Sequence, residues 1–173
     1  MKIFLIGFMG SGKTTIGRHI AEKTGFFFVD TDRFIEMRHR MTVSEIFEQR
    51  GEAAFREMER DLLIKVSKFD STVISTGGAM PCFGNNMDIM LESGKVIYLS
   101  ASPEELSKRL LRSHKKRPLI RGKTEEEMRN FIEEQLEIRE PFYNRANFIL
   151  KSDNLSLSLP SDFLLNDISK HYD

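Results

Sequence analysis

Short apolar runs recur along the chain at Ile3-Phe4-Leu5-Ile6, Phe26 to Val29, Thr72 to Ser75, Val96 to Leu99 and Phe148 to Leu150. Longer segments between them carry apolar residues at a helical period. Strands buried on both faces read as continuous apolar runs, and parallel neighbours need crossovers of a dozen residues or more, usually helices. The pattern predicts an α/β fold of three layers, α/β/α, around a five-stranded parallel sheet. Ser102-Pro103-Glu104-Glu105 and Thr124-Glu125-Glu126-Glu127 both read as capping boxes, the first with proline at N1. Helices are expected over 15–23 and over 52–69. On the second, Phe55, Met58, Leu62, Val66 and Phe69 share one face, which core packing explains without a function. Residues 151–160 have no clear period, and 161–171 suit a short closing helix.

Composition narrows the picture. With 173 residues the chain is expected to form one domain over 1–173, and its 26 basic residues balance 26 acidic ones. That balance argues against a dedicated nucleic-acid or membrane-surface binder. Cys82 is the only cysteine, which excludes an intrachain disulfide and a cysteine-built zinc site and suits a reducing compartment. The apolar start is too short for a secretory signal and runs straight into a glycine-rich loop. No apolar run approaches the roughly 18 residues of a membrane span, so a cytoplasmic location is expected.

That loop, Gly7-Phe8-Met9-Gly10-Ser11-Gly12-Lys13-Thr14, satisfies G-x-x-x-x-G-K-[ST] between a predicted strand and a predicted helix. Its glycines let backbone N–H groups curl around phosphate oxygens, and the following helix adds its N-terminal partial charge. Gly10, Ser11, Gly12, Lys13, Thr14 and Thr15 are the candidate ATP contacts. Lys13 is expected to reach the β and γ phosphates, and Thr14 to offer its hydroxyl to Mg²⁺. A dinucleotide-binding turn beginning at Gly10 would need glycine at position 15, where Thr15 stands.

A phosphate loop specifies a nucleotide and leaves the acceptor open. Open α/β sheets bind ligands at their strand ends, and three clusters fall there. Asp30 and Asp32 follow the second apolar run and are expected on one face of the strand end. Asp30 suits a magnesium partner acting through its waters, Asp32 a hydroxyl partner, and either one could instead cap the next helix. Ser75-Thr76-Gly77-Gly78 can bring bare N–H groups against a phosphate or substrate oxygen. Arg56, Arg117 and Arg139 form the third cluster, with Glu52, Glu59 and Arg60 as helical neighbours of Arg56. Arg112, Lys115, Lys116, Arg117, Arg121 and Lys123 have no acidic residue among them. In a neutral chain this run fits a mobile lid over about 112–124 better than a nucleic-acid patch.

Taken together, the P-loop extended by Thr15-Ile16-Gly17, then Asp30-Thr31-Asp32, Phe55-Arg56-Glu57-Met58-Glu59, Ser75-Thr76-Gly77-Gly78, Arg117-Pro118-Leu119 and Arg139-Glu140-Pro141-Phe142-Tyr143 resemble the shikimate kinase family. The resemblance spans Ile3 to about Leu150. It implies transfer of the γ-phosphoryl of ATP to a hydroxyl of shikimate, giving shikimate 3-phosphate and ADP, within aromatic amino-acid biosynthesis. It further implies a monomer, with the acceptor carboxylate between Arg56 and Arg139, hydroxyls on Asp32 and a backbone N–H from Gly78. Arg117 would approach the transferring phosphates from the lid, and Glu59 would hold Arg56. Lys13, Asp32 and Arg117 are the implied catalytic residues, and Thr14 and Asp30 the implied magnesium partners. Two positions depart from the family pattern. Ala79 replaces a usual third glycine and is expected to have negative φ, and Leu110 replaces an arginine expected against adenine, with Arg109 and Arg112 nearby. A gluconate-type or other small-molecule P-loop kinase, or an ATP-binding regulatory module without catalysis, are the alternatives.

Overall fold

A computed structural model describes residues 1–113 and 122–153. Five strands, β1 (Lys2–Ile6), β2 (Phe27–Asp30), β3 (Thr72–Ser75), β4 (Lys95–Ser100) and β5 (Phe148–Lys151), pair in the order β2-β3-β1-β4-β5. Every pairing is parallel. The connections run through α1 (Lys13–Thr24), α2 (Thr31–His39), α3 (Val43–Val66), α4 (Asn86–Ser93), α5 (Pro103–Arg112) and α6 (Glu125–Tyr143), with a 3₁₀ turn at Met80–Cys82.

The period-two alternation of a strand splits the core between two layers. Ile3 and Leu5 of β1, with Val73, Ile97 and Leu99, pack against Ile16, Ile20 and Ala21 of α1. Phe4 and Ile6, with Ile74, Val96 and Tyr98, face the opposite side and meet Phe55, Leu62, Leu63 and Met128. Because β1 lies between β3 and β4, the chain leaves its C-terminal end at the point where strand order reverses. Ligands of open α/β sheets bind there.

Local departures from the expected elements have physical causes. β2 ends at Asp30, which pairs with Ser75, and it sits at the sheet edge, so Phe27 is 76% exposed instead of buried. The helix expected over 52–69 begins earlier, at a complete capping box between Thr42 and Glu45, and is broken at Gly51, whose φ of 79° no helix accommodates. It also stops at Val66. Phe69 therefore leaves the apolar face and is 46% exposed. Thr124 and Glu127 form the expected capping box, whereas the box at Ser102 is only half made. Ser102 Oγ accepts from Glu105 N, but the Ser102 N–H goes to Asp153 at 2.8 Å and the Glu105 carboxylate to Arg109 at 2.7 Å. Among the described residues no helix is long and apolar enough to cross a membrane. The predicted closing helix, Arg117 and most of the predicted lid lie outside the described residues.

Candidate active site

Beyond Ile6 the backbone takes the positive φ that only glycine accepts readily, 137° at Gly7, 86° at Gly10 and 97° at Gly12. At Gly7 a Cβ would also lie 2.6 Å from the Leu99 carbonyl oxygen. Lys13 is buried, and its Nζ donates to the carbonyls of Gly7 at 2.7 Å and Phe8 at 2.9 Å. Gly12 offers α1 no side-chain cap, so its first N–H groups remain for an anion. The Ser11 hydroxyl is buried within the loop with no partner among the described residues.

Thr14 Oγ1 donates to Asp30 Oδ2 at 2.8 Å, while Asp30 Oδ1 accepts from Arg33 N at 3.2 Å and caps α2. With its proton committed to Asp30, the hydroxyl has only its lone pairs left to offer. A hydroxyl and a carboxylate together are hard oxygen donors, the chemistry that suits Mg²⁺. Thr15 is exposed in the first turn of α1.

On the outer side of the loop, Leu110 is buried against Gly10, where a Cβ would lie 3.2 Å from Leu110 Cδ2. The neighbouring Arg109 directs its Nη1 to the carbonyls of Gly10 at 3.4 Å and Ser11 at 3.5 Å and to Ser152 Oγ at 3.3 Å, and its Nη2 to the Ser152 carbonyl. Arginine chemistry thus stays beside the nucleotide loop, one residue before the position the family pattern suggests.

The facing side is built from side chains of three helices. Arg56 of α3 donates through Nη1 to Glu59 at 2.6 Å, and through Nε and Nη2 to Glu52 at 3.1 and 2.7 Å. Its guanidinium lies 4.2 Å from the ring centre of Phe83, with Phe55 at 5.5 Å and Phe47 at 5.7 Å. Those rings hold the planar group in one orientation. Arg139 of α6 donates to Gln135 at 2.6 Å and stands 5.2 Å over Phe8, a residue of the phosphate loop.

The β3 end joins the two sides. Gly77 donates its N–H to Thr31 Oγ1 at 2.9 Å, and a Cβ on it would lie 2.5 Å from Glu59 Oε1 and 2.8 Å from Asp32 Oδ1. A Cβ on Gly78 would be 3.5 Å from Gly7 O and Met9 N and 3.6 Å from Arg139 Nη1, so this residue lies between the phosphate loop and the arginine. The Tyr143 hydroxyl donates to the Gly78 carbonyl and fixes that peptide.

Burial pushes the Glu59 carboxyl up to about 7 against the pull of Arg56, with Asp32 and Glu52 adding to the rise. Burial works against the Arg56 charge, but Glu59 and Glu52 outweigh it and raise its pKa. The Cys82 thiol is pushed up to about 11 by burial, against Arg139 and Arg56, and stays protonated.

Of the residues expected at the site, Arg117 lies outside the described ones, and the others fall around the phosphate loop and the β3 end, with two corrections. Asp30 and Asp32 do not share a strand face. Asp30 ends β2 and caps α2, and Asp32 lies in the first helical turn, because the helix begins at Thr31 and not near Phe34. Nor does the Gly77-Gly78 pair present two bare N–H groups, since that of Gly77 is taken by Thr31. Ala79 has φ −94° and ψ −9°, the negative φ expected of it. Phe47, Phe83, Gln135 and the Tyr143 hydroxyl are not assigned from sequence. Gln135 carries a signal, its i−4 spacing from Arg139, whereas the two rings meet Arg56 only through tertiary packing.

A family model described as shikimate kinase matches residues 9–165. A shikimate kinase of Parabacteroides distasonis is 47% identical over 154 residues, covering 89% of each chain. The crystal structure of shikimate kinase from Bacteroides thetaiotaomicron has a TM-score of 0.90 at 41% identity and is matched over 99% of this chain and 98% of its own. That of the Acinetobacter baumannii shikimate kinase in complex with shikimate has a TM-score of 0.86 at 32% identity, over 98% and 93%. A gluconokinase from Sinorhizobium meliloti, at 17% identity over 98% of this chain and 92% of its own and a TM-score of 0.61, shares the fold alone.

Proposed function

The chain belongs to the shikimate kinase family, and we propose from that premise how its own residues carry out the transfer. It is a kinase that moves the γ-phosphoryl group of ATP to a hydroxyl of shikimate, yielding shikimate 3-phosphate and ADP. The observation that carries the assignment of its residues is the placement of Arg139 and the phosphate loop beside Gly78, and of Asp32 and the Arg56-bound Glu59 beside the adjoining Gly77.

Planar guanidinium forks suit a carboxylate, so Arg56 and Arg139 grip that of shikimate. Asp32 accepts a hydrogen bond from the acceptor hydroxyl and orients it for in-line attack. Gly78 offers its N–H between acceptor and γ-phosphate. Lys13 exchanges its contacts with the Gly7 and Phe8 carbonyls for phosphate oxygens, and the N–H groups at the start of α1 hold the chain of phosphates. Thr14 and Asp30 would hold Mg²⁺, which when bound neutralises charge on the β and γ oxygens. A monomer is the expected state, and a reducing cytoplasmic setting fits a lone thiol that stays protonated.

A coupled ADP-release assay offering shikimate, gluconate and a panel of nucleosides tests the acceptor. Signal is expected with shikimate alone. Turnover with gluconate or a nucleoside at a comparable rate would overturn the assignment of Arg56, Arg139 and Asp32.

A further inference from the structure

Among the described residues Glu59 is the only buried carboxylate. Its Oε2 is held by Arg56 at 2.6 Å, while Oε1 has no hydrogen-bond partner among the described residues and is turned to the same point above Gly77 as Asp32 Oδ1. Among the described residues, the charged and titratable groups around it are Arg56 and Glu52 on α3, Asp32 on α2 and Cys82 on the 3₁₀ turn, with Arg139 of α6 beyond Cys82. Among the described residues Arg56 is thus the cation in direct contact, and its other edge already serves Glu52, an exposed side chain.

When the acceptor carboxylate takes the Glu52 edge of Arg56, a step that rests on the reading above, an exposed anion is replaced by an enclosed one. The acceptor also drives water from the space beside Glu59 and Asp32. Both changes disfavour a second negative charge there.

We infer that Glu59 is a positioning residue that takes up a proton from solvent as shikimate binds. The proton goes to Oε1, facing Asp32, while Oε2 keeps its hydrogen bond to Arg56 and so keeps that fork aimed at the acceptor. The free group, raised to about 7 by its surroundings, is poised to respond near neutral pH. Well below that value both free and bound enzyme carry the proton, and affinity is flat. As pH rises through it the free enzyme loses the proton first, so binding draws one in and affinity falls until the complex loses it as well.

Calorimetric titration with shikimate at pH 6, 7 and 8, each in two buffers of different ionisation enthalpy, reads the uptake directly. A sizeable fraction of a proton is expected at pH 7 and 8 and little at pH 6. In Glu59→Gln the uptake disappears and the affinity no longer falls as pH rises. A wild-type enthalpy independent of buffer at all three pH values overturns the inference, as does a Glu59→Gln protein with wild-type uptake. Should that variant fail to fold, the wild-type measurement alone decides. Arg56→Ala separates the two readings. Wild-type shikimate affinity in that variant would overturn the acceptor assignment, whereas lost affinity beside zero proton uptake in the wild type would overturn only the role of Glu59.

Discussion

On the proposed assignment, the two halves of the site are built from different materials. The donor half is a backbone device, made of left-handed glycines, N–H groups at a helix start and one lysine folded onto main-chain carbonyls. The acceptor half is a side-chain device, with charges from α2, α3 and α6 held by rings, by a glutamine and by one another. A polyphosphate presents many equivalent oxygens, and a curled backbone serves them all. A small ring with one carboxylate and several hydroxyls requires unlike groups at fixed distances, which only side chains supply. The backbone half should therefore fail by loss of rate, and the side-chain half by loss of acceptor affinity.

The largest effect expected is on the donor side. Lys13→Ala should lower turnover by about 10²–10³, the usual cost of losing one preorganised donor to developing charge, with the fold intact by circular dichroism. More than half of wild-type turnover in the same ADP-release assay would break the distinction at its stronger end. Next comes the acceptor side. Arg56→Ala or Arg139→Ala should cost about 2–5 kcal/mol in shikimate binding while nucleotide affinity stays near wild type, and lysine at either position should restore only part. Equal losses for both ligands would mean that the halves are not separable.

Gly77→Ala sharpens the boundary, because the added methyl would meet the Glu59 and Asp32 carboxylates at 2.5 and 2.8 Å without touching the phosphate loop. Overpacking of this kind costs about 1–3 kcal/mol. It should appear as a lower melting temperature and a higher KM for shikimate, with KM for ATP unchanged. Wild-type stability and shikimate KM in the Gly77→Ala enzyme would show that the two carboxylates yield easily and do not define the acceptor site.

The same contrast explains what the sequence discloses. The phosphate loop of the donor half is contiguous: Gly7 to Thr14 carry it in one stretch, and the strand and helix around it follow from period alone. Asp32, Arg56, Gly78 and Arg139 are spread over more than half of the chain, and each taken singly reads as a surface charge or a plain turn. Family resemblance groups them, whereas local pattern does not. What escapes altogether depends on tertiary neighbours. Phe83 covers Arg56 from beside a 3₁₀ turn, the Tyr143 hydroxyl reaches Gly78, and Asp153 takes the Ser102 N–H that a capping box would have satisfied. Phe69 departs from expectation for a related reason, since helical period says nothing about where an apolar face stops being covered.

Asp30 is the residue that crosses the divide, a side chain serving the backbone half. One of its oxygens caps α2 through Arg33 N and the other receives the Thr14 hydroxyl. Asparagine at this position can still cap, so Asp30→Asn should keep wild-type stability, whereas Asp30→Ala should lose about 1 kcal/mol. Both remove the carboxylate that orients Thr14. The magnesium concentration for half-maximal turnover should then rise about tenfold, the low end for a group acting through a metal ligand, with shikimate KM unchanged at saturating magnesium. Asp32→Asn should do the reverse, because Asp32 sits in the first turn of α2, beside Glu59 and Gly77, whereas the Thr14 hydroxyl is bonded to Asp30. Its shikimate KM and turnover should suffer at every magnesium concentration. Titrating both variants against both ligands decides the matter. If excess magnesium rescues Asp32→Asn, or if Asp30→Asn loses shikimate affinity with its metal dependence unmoved, the two aspartates act as one group and the boundary between the halves does not run between them.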